Sequence, residues 1–126
     1  MRALSFAAAV AIALPSPVLA RIQPSPAPFL ASKVAGPARD CLANFQRDRE
    51  TRTYASGDIL YRGEGTTWYL NHPEGCPRFT SDMVFVTKTP VQLCRGDIVE
   101  IYQQVSNSFL GACTLGAFTP YTDPSK

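Results

Sequence analysis

Four cysteines, Cys41, Cys76, Cys94 and Cys113, follow an N-terminal segment with the order of an export signal, and together they constrain this chain more than any other feature. Residues 1–20 carry one early cation, Arg2, then an apolar stretch from Ala3 to Leu14, then small residues closing on Val18-Leu19-Ala20. That is the order of a cleavable secretory signal. The apolar run is shorter than the roughly 20 residues that cross a bilayer as a helix, and Pro15 and Pro17 interrupt it. The expected cut precedes Arg21, which leaves no cysteine for acylation. A periplasmic or secreted protein with no membrane span is therefore expected.

In that compartment four cysteines can oxidise, whereas a cytosolic thiol pool would keep them reduced. They are separated by 34, 17 and 18 intervening residues, so no C-x-x-C is present to clip a metal or to supply a redox-active thiol. All four are expected in disulfides, with no metal and no cofactor. Three pairings are open. Cys76 with Cys94 is the preferred first pair, closing a loop around one strand, and Cys41 with Cys113 the second, bracketing the domain. In the chain-entropy model these loops contribute roughly 3 and roughly 4 kcal/mol.

The residues between the cysteines favour strands. Residues 21–39 hold Pro24, Pro26, Pro28 and Pro37 without a sustained apolar period and read as an extended, mobile leader. Residues 40–122 form the single expected domain, with 123–126 as a tail. Strands are expected at 51–54, 59–61, 66–71, 83–87, 98–102 and, last, 113–118 before a Pro120 tail, with a short apolar element at 91–94 leading into the turn before 98. Gly63-Glu64-Gly65 marks a hairpin turn, and His72 to Pro77 a loop. In 98–102, Ile98, Glu100 and Tyr102 share one face and Val99 and Ile101 the other, the period of a half-buried strand. The fold expected is mostly β: a small disulfide-stabilised barrel or rolled antiparallel sheet of about six short strands. A domain this small buries a limited share of its surface, so its cross-links matter.

The ordered elements Arg49-x-Thr51, Tyr69-x-Asn71, Cys76-Pro77, Leu93-Cys94-x-Gly96-Asp97-Ile98 and Cys113-x-Leu115-Gly116-x-Phe118-x-Pro120, behind Cys41, carry a resemblance. The chain resembles a family of small exported four-cysteine proteins of Gram-negative bacteria known only as a domain of unknown function. The likeness spans Cys41 to Pro120 and departs from the pattern at Arg78-Phe79, where the family has Gly-Leu. It implies the compartment and the domain extent, and it supplies no catalytic residue.

Net charge is +2 with no basic stripe, so no nucleic-acid partner is expected. No G-x-S-x-G elbow and no H-E-x-x-H occur. Arg95-Gly96-Asp97 is explained by a turn entering a strand. The candidate binding surface is Arg49, Arg52, Arg62, Trp68 and Tyr69, because exposed aromatics beside arginines give contact area at little entropic cost. Alternation places Trp68 and Tyr69 on opposite faces, one in the core and one exposed. The leading expectation is a monomeric, non-enzymatic module that binds a protein or cell-envelope component. The alternative is a small hydrolase or lyase using Asp58, Asp97 or His72, the chain's single histidine.

Overall fold

The computed structural model describes residues 3, 5, 7, 9–11, 22–43, 50–87 and 92–124. Arg49, Pro90 and the expected cleavage site before Arg21 lie outside the described residues. One helical turn, α1 (Ala27–Leu30), precedes ten strands: β1 (Val34–Ala35), β2 (Cys41–Ala43), β3 (Thr51–Thr53), β4 (Ile59–Arg62), β5 (Trp68–Asn71), β6 (Met83–Thr87), β7 (Gln92–Cys94), β8 (Ile98–Gln103), β9 (Phe109–Thr114) and β10 (Phe118–Thr122). All pairings are antiparallel, in three sheets ordered β1-β10-β5-β4-β3, β2-β7 and β6-β8-β9. The sheets roll around a main core without closing into a barrel.

Alternation along the strands decides what each face covers. Ile59, Tyr61 and Tyr69 point inward with Phe118 and meet Val99 and Ile101 of β8, Leu42 of β2 and Leu93 of β7. Burial of Val99 and Ile101 is complete while Ile98 is largely exposed, as the period of two in β8 requires. Phe79 is fully buried and packs edge-on against Phe85 at 4.7 Å.

The opposite face of the five-stranded sheet is covered too, which corrects the expectation that Trp68 or Tyr69 would be exposed. Both are buried, at 6% and 4% exposure, on opposite faces. Trp68 joins Leu60, Tyr54 and Leu30 in a second, smaller core under α1. Residues 21–39 accordingly do not form a detached leader: over its described part the chain is folded onto the sheet. Leu30 plugs the second core, Val34 and Ala35 pair with Thr122 and Tyr121, and the amides of Ala55 and Ser56 donate to the carbonyls of Gln23 and Pro24. A single helical turn is unstable alone and is held here by its tertiary contacts. Its one-turn length is also why no helical period was visible in the sequence.

The last expected strand is displaced as well. Residues 115–117 break it, so β9 ends at Thr114 and Pro120 lies inside β10, opposite Tyr69, rather than in a tail. The carbonyl of Pro120 accepts from the Gly36 amide at 2.8 Å.

The disulfides are Cys41–Cys94 and Cys76–Cys113, which overturns the preferred pairing of Cys76 with Cys94 and Cys41 with Cys113. Strand register, which loop length does not encode, is the physical reason. Cys41 and Cys94 are direct partners across β2 and β7, with Cα atoms 4.0 Å apart. Cys76 follows a two-way backbone bridge between Glu74 and Thr114, which brings it to Cys113, 4.6 Å away between Cα atoms. With sequence separations of 53 and 37, each cross-link contributes about 4 kcal/mol in the chain-entropy model.

Candidate functional site

The site forms on the outer face of the five-stranded sheet. Register places Arg52 opposite Leu60 and Arg62 opposite Trp68, so these four residues share that face. The Arg52 side chain crosses over β4, and its guanidinium carbon sits 4.6 Å from the Trp68 ring centroid and 5.0 Å from that of Phe29. Phe29 meets Trp68 edge-on at 5.4 Å. Arg62 flanks the same indole at 6.0 Å. One guanidinium thus lies against two rings, an arrangement that attracts it through the ring quadrupoles and fixes its orientation.

Two carboxylates complete the surface. Glu50 accepts from Arg52 Nε at 3.0 Å and stands 3.7 Å from Arg62 Nη1. Asp123 accepts from Lys33 Nζ at 2.7 Å, and Lys33 also reaches the Thr66 carbonyl and lies 5.3 Å from the Phe29 centroid. The hydrogen bond from Lys33 holds the Asp123 carboxyl below its ordinary range. Beneath Arg52, burial pushes the Tyr54 hydroxyl above its ordinary value against the opposing pull of the guanidinium. Apart from Tyr54, these groups line an open groove of about 290 Å³.

Of the candidate surface residues, Arg52, Arg62 and Trp68 are brought together. Tyr69 is not among them: it faces the main core, and its hydroxyl is 3.5 Å from Arg39 Nη1. Arg49 lies outside the described residues. Sequence reasoning missed Phe29, Lys33, Glu50 and Asp123. Phe29 and Lys33 fell in the supposed leader and Asp123 in the supposed tail. The signal that marks them is the apolar pair Phe29-Leu30 amid prolines, followed by Lys33.

The residues of the enzymatic alternative divide. His72 Nδ1 lies 2.5 Å from Asp58 Oδ1, and the Ser56 hydroxyl donates to Asp58 Oδ2 at 2.7 Å. The imidazole is 71% exposed. The serine contacts the carboxylate rather than the imidazole, so the order is not that of a nucleophile, base and orienting acid. Asp97 is engaged elsewhere: it accepts from the Cys94 amide at 2.7 Å and holds the turn between β7 and β8.

A second buried polar contact sets the site's frame. Asn71 is fully buried in β5; its Nδ2 donates to the Gly116 carbonyl at 2.8 Å and its Oδ1 accepts from the Gly116 amide at 3.0 Å. That two-way bond fixes the loop that delivers β10, and with it Asp123. Among the described residues no group of His, Cys, Asp and Glu is placed to hold a metal ion, and no helix is long and apolar enough to cross a membrane.

Fold and surface together define a disulfide-linked antiparallel β module with a cation–aromatic face. Comparison with family models, curated proteins and solved structures finds no match.

Proposed function

We propose that this protein is an exported, periplasmic or secreted, non-enzymatic module that binds a protein or cell-envelope component through its Arg52–Arg62–Trp68 face. The observation that carries the reading is the Arg52 guanidinium held against both Trp68 and Phe29, with Arg62 at the same indole. The Glu50 pairs are exposed, and exposed ion pairs contribute about 0–1 kcal/mol, so stability is a weak reason for two arginines to share this carboxylate. Arginine beside aromatic rings is the composition enriched where binding energy concentrates. The signal-like order of residues 1–20 and the two disulfides support an oxidising compartment.

Affinity capture from an envelope extract tests the reading. Wild-type protein is expected to retain a partner that an Arg52→Ala/Arg62→Ala double variant, shown to be folded, releases. Equal retention by both proteins would refute it.

The Asp58–His72 contact favours a second reading, a small hydrolase in which Asp58 orients His72 as base. A turnover lost in His72→Ala while the fold persists is the result that would establish it.

A further inference from the structure

We infer that the Arg52–Arg62 pair is a carboxylate clamp whose ligand is an acidic peptide segment carrying an apolar side chain next to its carboxylate. The inference rests on the proposed binding role of this face and names the ligand class. The chain itself shows the geometry a carboxylate takes there. Glu50 spans both guanidinium groups, one oxygen 3.0 Å from Arg52 and the other 3.7 Å from Arg62. Its side chain is 46% exposed, as are those of its two partners to a similar degree, so this occupant is within reach of exchange with solvent and with a competing carboxylate.

Charge supports the same class. Among the described residues around the groove, three cations, Lys33, Arg52 and Arg62, face two carboxylates, Glu50 and Asp123, leaving one positive charge in excess. Lys33 is committed to Asp123 with its side chain only 9% exposed, so the excess falls on the two arginines that share Glu50. A planar guanidinium pair suits the two oxygens of a carboxylate, and the half-buried ring of Phe29, 5.0 Å from the Arg52 guanidinium carbon, offers an apolar edge beside it. A ligand combining the two groups uses both halves of the site; a bare anion uses one.

Trp68 is the only tryptophan of the chain, so its fluorescence reports on this site alone. The probes are a short capped peptide with one glutamate between two leucines, its glutamine counterpart, and inorganic phosphate. The glutamate peptide is expected to change Trp68 emission saturably, to bind about tenfold more tightly than the glutamine peptide, and to weaken with added salt. Glu50→Gln removes the internal competitor and is expected to tighten the glutamate peptide about threefold, while Arg52→Lys, which keeps the charge but not the planar fork, weakens it.

Binding of phosphate as tight as that of the glutamate peptide, or an unchanged affinity in Glu50→Gln, would overturn the carboxylate assignment. Absence of peptide binding while envelope capture still depends on Arg52 and Arg62 would overturn this inference and leave the binding role intact. Loss of both dependences would remove the binding role itself.

Discussion

Arg52 and Trp68 belong to strands that are not neighbours, yet the guanidinium carbon of one lies 4.6 Å from the ring centroid of the other, across the strand between them. This contact links the outer face of the sheet to its second core, because the indole that supports the guanidinium also packs with Leu60, Tyr54 and Leu30. Removing the guanidinium uncovers the ring. In Arg52→Ala, Trp68 emission is expected to shift to longer wavelength and its quenching by acrylamide to increase, with a loss of stability of about 1 kcal/mol. Unchanged quenching would show that the two side chains do not cover one another in solution.

The Asn71–Gly116 pair predicts a sharper loss at a position with no exposed surface. Asn71→Ala leaves the amide and carbonyl of Gly116 without their side-chain partner and is expected to cost about 1–3 kcal/mol in urea unfolding. Gly116→Ala is expected to destabilise as well, since a Cβ there would stand 3.0 Å from the His72 carbonyl oxygen.

Gly63 illustrates close approach rather than backbone freedom. A Cβ at this position would lie 2.6 Å from Cε2 of Tyr69, a ring buried in the main core. Gly63→Ala is expected to lower stability by about 1–3 kcal/mol through overpacking, read as a lower urea midpoint with an unchanged slope.

Acid titration checks the Lys33–Asp123 contact. A carboxyl held below its ordinary value of 3.8 favours the folded state fully above that value, and the benefit is lost as pH falls from about 3.8 through the depressed folded value. Carbon NMR of the Asp123 carboxyl is expected to show the depressed titration in wild type and a return toward the ordinary range in Lys33→Ala. An unshifted wild-type midpoint would contradict the contact.

Peptide mapping without reduction is expected to recover Cys41 joined to Cys94 and Cys76 joined to Cys113. Replacing either pair by alanine is expected to cost about 2–5 kcal/mol.

How much of this was legible in the sequence depends on whether the deciding contact is local. The strand at 83–87 has the same bounds in the structure, and the alternation of β8 correctly buries Val99 and Ile101, because period two is a property of neighbouring residues. Local patterning also marked the hairpin turn, where Gly63 donates to the Thr67 carbonyl. The disulfide pairs depend on which strands become partners, and loop length carries no register. Trp68 and Tyr69 were expected to differ in exposure because alternation assigns faces but not what covers them; the short turn with Phe29 and Leu30 covers the second face. In the site, Arg52, Arg62 and Trp68 were visible as residue types. Phe29, Lys33 and Asp123 reach them only because the segments 29–35 and 118–123, far apart in sequence, fold onto one sheet.

The central claim is that the Arg52–Arg62–Trp68 face is where this protein binds. Titration with a solubilised envelope fraction tests that claim most directly when the single tryptophan is replaced biosynthetically by 7-azatryptophan, whose longer-wavelength absorption lets position 68 be excited apart from the tryptophans of other proteins. A saturable change in emission in wild type that is absent from the folded Arg52→Ala/Arg62→Ala variant is the predicted result. Binding, measured in parallel by capture, that leaves the emission at position 68 unaltered in wild type, or that is retained in full by the double variant, would contradict it.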